Sequence, residues 1–399
     1  MPLYLWEGRT LAGIPQRGEI EAPDELSVRL TLRKRGIIAT RVKRKPREFT
    51  IPFLSKRIRK RDLLVFTQQL SAMLDAGIPL VQALEILIEQ TGNQAFRQVI
   101  RDVKERVEGG STLAQALRAH PKVFDRLYVD MVVAGEESGN LDLMLKRIAT
   151  HIEKMENLKR KVRSALIYPA IIFVVAILVT IVLLVFVIPT FEKLFSEVNM
   201  SLPLPTQIVI KVSKFTKTNI PYVIAVLFLL ALLLRYYYRT EKGRLQIDSF
   251  ILKLPIFGIL IKKIALARFA RTLSTLVKSG VPILESLEIV GATSGNKHIE
   301  KAVREARENL REGESLAPPL ERSGVFPLMV THMIGVGEAT GNLDMMLEKV
   351  ADFYEADVDQ AVANLSSMIE PLLIVFLGVV IGGLVVSMYL PIFKMAAAF

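Results

Sequence analysis

The feature that most limits what this chain can fold into is a long internal repeat. Ala76-Gly77-Ile78-Pro79-Leu80, followed by Ala83-Leu84-Glu85-Ile86, returns as Ser279-Gly280-Val281-Pro282-Ile283 and Ser286-Leu287-Glu288-Ile289. Further on, Gly135-Glu136-Glu137-Ser138-Gly139-Asn140-Leu141-Asp142 returns as Gly337-Glu338-Ala339-Thr340-Gly341-Asn342-Leu343-Asp344. The offset is 203 residues for the glycine-proline pair and 202 for the Gly-Asn-Leu-Asp run, so one residue was lost in between. Each copy then enters an apolar segment that opens after a proline, Pro169 or Pro371, and closes at another, Pro189 or Pro391. This is a duplicated unit: a helical module running into a membrane-length helix.

Composition narrows the class. With 51% hydrophobic residues and a mean hydropathy of +0.36, the chain is too apolar for an ordinary soluble protein and too polar for a many-span transporter. The formal charge of +12 suits either a nucleic-acid surface or cytoplasmic loops beside anionic lipid. There is no cysteine, which excludes disulfides and thiolate chemistry. Met1 to Glu7 has neither a basic n-region nor an apolar h-region, so the first domain is expected to stay on the side where it is made.

In chain order, residues 1–45 read as a small α/β domain. Strands are expected at Leu3–Trp6, Glu19–Ala22 and Ile37–Val42, with a helix over Asp24–Arg35 that stops at Gly36. So small a unit has little core of its own and is expected to dock on another surface. Residues 46–61 form a basic linker. From Lys43 to Arg61 there are nine Lys and Arg against Glu48 alone, with Pro46 and Pro52 preventing a continuous helix. Only Phe49 and Phe53 could stack on bases there, so a solvated or lipid-facing linker is the better reading.

Residues 62–163 form the first helical bundle, of six helices. Asp62 caps the first helix, which reaches Ala76, and Gly77 and Pro79 separate it from the second. Asn93–Glu108 is amphipathic through Phe96, Val99, Ile100, Val103 and Val107, and ends at Gly109-Gly110. Gly139-Asn140 restarts the chain as a long sixth helix. The second bundle lies within residues 236–370, its six helices at about 265–370.

Three transmembrane helices follow from the charge gaps. Ser164–Phe191 is 28 residues without a charge, Glu370 and Lys394 bracket 23, and Lys217 and Arg235 bracket 17 before the Tyr236-Tyr237-Tyr238 cluster. About 20 are needed to cross a bilayer. The spans are therefore placed at 164–191, 218–235 and 371–393. Lys154, Lys159, Arg160, Lys161 and Arg163 precede the first span, while Lys193 is the one base in the 20 residues after Pro189. This puts the N-terminal side of the first span, the N-terminal domain included, in the cytoplasm. The second span is nearly neutral, and alternation then puts both bundles in the cytoplasm, a loop over 192–217 outside, and the C-terminus 394–399 outside.

No catalytic constellation stands out. His120, His151, His298 and His332 occur singly, without paired-ligand spacing. Gly291–Lys297, G-A-T-S-G-N-K, lacks the spacing of a phosphate loop, and its counterpart keeps only Gly92-Asn93. Gly335, Gly337 and Gly341 have the wrong spacing for a dinucleotide fingerprint, and Val133 stands where Gly335 does. Glu136, Glu137 and Asp142, with Glu338 and Asp344 in the repeat, offer carboxylates to a divalent cation. Acids there are already favoured by the helix dipole, and that reading is preferred. No catalytic, cofactor-binding or metal-binding residue is assigned, and no cofactor is expected. Apart from Arg235 at the end of the second, the spans hold no Asp, Glu, Lys, Arg or His, which argues against an ion-coupled transporter. Gly378-x-x-x-Gly382, beside Gly383, allows close helix approach in the third span; a kink or packing between spans of the chain stands equally with a dimer.

The fold class is thus an all-α integral membrane protein with two homologous six-helix cytoplasmic bundles, three transmembrane helices and a small N-terminal α/β domain. It resembles the polytopic inner-membrane platform proteins of type IV pilus and type II secretion machines, PilC and GspF. The resemblance rests on Tyr4-Leu5-Trp6-Glu7-Gly8 with Gly18-Glu19-Ile20-Glu21-Ala22, both Gly-x-Pro motifs, both Gly-Asn-Leu-Asp runs, and Pro189-Thr190-Phe191 with Pro391-Ile392-Phe393. The Trp-Glu-Gly start looks more like the pilus branch.

The resemblance implies a multi-pass bacterial inner-membrane protein that is not an enzyme. It implies a hub between a cytoplasmic hexameric assembly or retraction ATPase and pilin transmembrane helices, working with other inner-membrane pilus components. Self-association as a dimer or higher homo-oligomer is expected, as is contact with anionic lipid, but not nucleic acid. The alternatives are the platform component of a type II secretion system and, more remotely, a small membrane transporter or a tethered nucleic-acid binder.

Overall fold

The architecture, from a computed structural model, is described for residues 3–10, 15–21, 24–34, 36–44, 57–197, 202–254 and 257–396. It divides into two compact units, Met1–Arg57 and Ile58–Phe399. In the first, β1 (Leu3–Thr10), β2 (Pro15–Glu21), α1 (Glu25–Lys34) and β3 (Ile37–Arg44) follow the expected order, each strand longer than its apolar signal. The sheet is antiparallel with order β2-β1-β3. Tyr4 and Trp6, two residues apart and so on one face of β1, pack with Val28 and Leu32, four apart on α1, and with Ile37 and Val42. Gly18 pairs with Trp6, and a Cβ there would stand 2.9 Å from the indole. The middle of the expected basic linker, residues 46–56, lies outside the described residues.

In the second unit the first module comprises α2 (Lys60–Asp75), α3 (Leu80–Gln90), α4 (Gln94–Glu108), α5 (Leu113–Arg118), α6 (Arg126–Ser138) and the opening of α7 (Leu141–Val182). A π-helical turn, Leu183–Val187, joins α7 without a break to α8 (Ile188–Glu197). Next come α9 (Leu204–Tyr238) and α10 (Glu241–Lys253). The second module repeats the first as α11 (Phe257–Lys278), α12 (Ile283–Thr293), α13 (Lys297–Arg311), α14 (Ala317–Arg322), α15 (Leu328–Thr340) and α16 (Leu343–Ala396). Both modules are the expected six helices, with α10 an addition in front of the second copy. One hydrophobic core runs through both. Its aromatic contact is duplicated too: Phe66 lies 6.1 Å from Phe124, and their counterparts Phe269 and Phe326 lie 4.8 Å apart.

The repeated glycine-proline motif is a helix stop. Gly77 (φ +81°) and Gly280 (φ +80°) are left-handed. Gly77 N–H donates to Leu74 O and Ile78 N–H to Met73 O; Gly280 and Val281 do the same to Val277 and Leu276. This two-bond closure satisfies carbonyls that a helix end leaves open, and only glycine enters it without strain. A Cβ at either glycine meets nothing within 4 Å among the described residues. Gly280→Val should therefore cost more than about 1 kcal/mol for conformational reasons alone. Unchanged thermal unfolding of the full chain in detergent would contradict this.

Three helices are long and apolar enough to cross a membrane: Leu141–Leu194, Leu204–Tyr238 and Leu343–Phe393. Pro169 and Pro371 lie inside α7 and α16 and do not break them. Each removes one backbone bond, and in an apolar segment no other conformation would satisfy the remaining ones. The π turn sits just before Pro189, which lacks the N–H that would bond Val185 O. Ser213 of α9 donates its hydroxyl to Leu184 O within that turn, and Thr206 donates to Ser387 O at 2.6 Å.

Residues 192–217, expected as a loop, are instead mostly helix: the end of α8 and the first half of α9. Two of their polar residues, Thr206 and Ser213, face the other two spans together with the apolar Ile210. Only Leu202 and Pro203 are non-helical among the described residues of that segment.

Candidate functional site between the two helical modules

Each repeated Gly-Glu-x-x-Gly-Asn-Leu-Asp run ends one helix and opens the long one. In the first copy Glu136 accepts the Leu113 and Ala114 N–H groups of α5 at 2.6 and 3.1 Å. In the second, Glu338 accepts those of Leu316 and Ala317 at 2.7 and 3.3 Å, and the Ser315 hydroxyl at 2.6 Å. A carboxylate is thus held against the open end of a short helix, where it satisfies donors that have no partner of their own. Ser71 donates to Asp142 O and Ser274 to Asp344 O, both at 2.9 Å, tying the start of each long helix to the first helix of its module. Gly337 allows α15 to meet α16, since a Cβ there would come within 2.8 Å of Leu343 Cα.

The two modules pack through α7 against α16 and α11. Their ion pairs run in one direction among the described residues: the base comes from the first module and the acid from the second. Arg126 reaches Glu288 at 2.6 Å and Glu285 at 3.7 Å; Lys154 reaches Glu355 at 3.6 Å; Lys161 reaches Asp359 at 2.5 Å. Arg147 donates to Lys278 O at 2.6 Å. The Arg126 guanidinium holds the Glu288 carboxyl below the usual carboxylate range. Exposed pairs stabilise little singly, but several pairs of the same polarity help to set the register of the two modules. Lys154 and Lys161 thus face the partner module as well as preceding a span. Arg271 is more enclosed. It is 8% exposed and donates to both Asp352 and Glu355, clamping α11 to α16 beside Lys154.

Behind these pairs lies a cleft of about 210 Å³ that includes Lys60, Asp125, Tyr128, His151, Glu156 and Arg268. Burial pushes the His151 pKa down to about 4, with Arg271 and Lys60 adding to the shift and Asp125 opposing it. An unfolded histidine titrates near 6.5, so between these values the unfolded state binds more protons. Stability is then complete above about pH 6.5 and falls as pH drops toward 4, by on the order of 2 kcal/mol because the cleft opens to water. His151→Gln should flatten that part of the stability profile, followed by circular dichroism in detergent. An unaltered slope would mean other groups carry it.

The remaining residues of interest serve the scaffold. Glu137 is exposed, and Asp142 lies in the first turn of α7. Among the described residues no three His, Cys, Asp or Glu gather as metal ligands. Asp62 stands in the first turn of α2, accepting Arg59 N–H at 3.0 Å. In G-A-T-S-G-N-K, Asn296 caps α13 just as Asn93 caps α4, while Lys297 pairs with Glu300. Lys297 N–H donates to Asp248 of α10 at 2.9 Å. His120 bonds Asp102 at 2.7 Å, and His332 is exposed. The capping roles of Glu136 and Glu338 were detectable from their shared register. The inter-module face was not, because its partners are as much as 198 residues apart.

The model of the family described as Type II secretion system (T2SS), protein F matches residues 66–189 and again 269–391, once per copy. The model of that family's N-terminal domain matches residues 1–43. Type IV pilus assembly protein PilC of Myxococcus xanthus is 46% identical over 99% of this chain and 95% of its own length. The protein of that name from Thermus thermophilus is 43% identical over 99% of this chain and 98% of its own. Type II secretion system protein F of Xanthomonas campestris is 33% identical over the whole of both chains. With two tandem matches to one family model and end-to-end similarity to such relatives, this chain belongs to the type II secretion system protein F family.

Proposed function

We propose that this chain is the inner-membrane assembly platform of a type IV pilus machine. In this reading it couples a cytoplasmic hexameric ATPase to the insertion of pilin subunits into a fibre, or their extraction from it. The N-terminal unit and both modules lie in the cytoplasm, and the 192–217 segment and the C-terminus lie outside. One observation carries the reading: α7 and α16 each pass uninterrupted from a module into a membrane-length segment. At 1.5 Å per residue they extend about 60 and about 80 Å, long enough to carry a displacement across the membrane surface. In this reading the hydrophobic core shared by the two modules, with the ion pairs between them, lets them act as one body. The role is mechanical and no catalytic residue is assigned to it.

Relatives named for pilus assembly, at 37 to 46% identity, favour the pilus over secretion, whose named relatives stand at 32 to 35%. Pilin transmembrane helices and other inner-membrane pilus components are the further partners. A Cβ at Gly378 or Gly382 meets nothing within 4 Å among the described residues, which leaves that face open to another copy. The test uses the full chain in lipid nanodiscs with purified assembly ATPases. Capture of the pilus ATPase, with no nucleotide hydrolysis by the chain alone, is expected. Capture of only the secretion ATPase would move the chain to the secretion branch, and hydrolysis by the chain alone would overturn the mechanical reading.

A further inference from the structure

Where α7 leaves the first module, a groove of about 420 Å³ opens between it and α11. Leu158, Val162, Leu166 and Ala170, each four residues after the last, form its α7 wall, and Ile264 stands on the α11 side. Lys159, Arg163 and Arg268 supply its charge. The apolar wall crosses the point, at Ser164, where the uncharged run begins. One end of the groove is thus level with the last charges of the module and the other with the apolar span.

Two further observations set this groove apart from general packing. Arg268 is half-buried yet makes no hydrogen bond or ion pair among the described residues. Burial lowers its pKa, with Glu156 opposing from a distance. A half-buried guanidinium with five donors and no acceptor invites an anionic partner. The repeat provides the second observation. At the positions of Lys159, Arg163 and Arg268 the other copy has Ala361, Leu365 and Val65, so the six-helix module does not require these bases.

We propose that this groove binds one anionic phospholipid, its phosphate between Arg268, Lys159 and Arg163 and an acyl chain along the Val162–Ala170 wall. Charge complementarity and the crossing of the polar boundary argue for this occupant over a zwitterionic lipid or a free anion. The site is distinct from the linker's diffuse attraction for lipid, and it holds whether the machine builds a fibre or secretes.

The test uses delipidated full chain in detergent, titrated with phosphatidylglycerol or with phosphatidylcholine of the same chains and read by native mass spectrometry. Phosphatidylglycerol should bind in a 1:1 complex and phosphatidylcholine much more weakly. Arg268→Gln with Lys159→Gln should weaken phosphatidylglycerol about tenfold through lost charge-assisted bonds. Ala170→Phe, which obstructs the tail end and keeps every charge, should weaken it as well. Equal binding of the two lipids, or indifference to both variants, would overturn the site. Competition by glycerol phosphate as effective as by the lipid would assign the basic end to a free anion instead. Displacement of the lipid by an apolar helical peptide alone, with no lipid preference in its absence, would give the groove to a protein helix.

Discussion

Arg271→Met is expected to destabilise the helical region by about 2 to 3 kcal/mol, among the largest effects of any single polar change. Its side chain is 9% exposed and that of its partner Glu355 is 18% exposed. Removing one member of so enclosed a pair leaves the other charge without its compensation. Lys154, 3.6 Å from Glu355, offsets part of the loss, and Asp352 is open enough to be solvated by water. The measurement is denaturant unfolding of the full chain in detergent, with Glu355→Leu completing a double-mutant cycle. The double variant should be more stable than the sum of the two single changes implies. Strict additivity would mean that the two residues do not act together.

If the chain works as the proposed platform, four glycines inserted between Arg163 and Ser164 should abolish fibre assembly while leaving the chain inserted in the membrane and able to bind the proposed ATPase. Each glycine costs about 1 kcal/mol of helix propensity relative to alanine, so the insertion makes a soft joint between module and span. The corresponding insertion between Leu365 and Ser366 of α16 should have the same consequence. Both are checked by counting surface fibres against a strain carrying the unaltered chain, with ATPase capture measured in parallel. Normal fibre numbers would show that the modules and spans work without a rigid connection.

Arg271 also shows why much of the candidate site could not be read in advance. Its counterpart in the first copy is Gln68, which is exposed, and the counterpart of Glu355 is Glu153, also exposed. The same register on the same kind of helix is wet in one module and enclosed in the other. Nothing local distinguishes Lys154 or Lys161 from an ordinary pre-span base, nor Glu288 from a solvated acid. Helix α10 and the helical course of 192–217 were missed for a related reason. Their polar residues read as loop, and packing against α11 and α13, or against the other spans, gives each of them a buried face.

The glycine stops at Gly77 and Gly280, the restart of a long helix after Gly139-Asn140, and the uncharged runs behind Pro169 and Pro371 were legible from the chain alone. Each answers a requirement met within a few residues: a left-handed backbone, an open N–H, or a bilayer to cross. The charged face between the modules, the clamp at Arg271 and the basic groove at Arg268 belong to the tertiary structure. They arise because two copies of one module, freed by duplication to carry different charges, were folded against each other at a contact that neither copy encodes by itself.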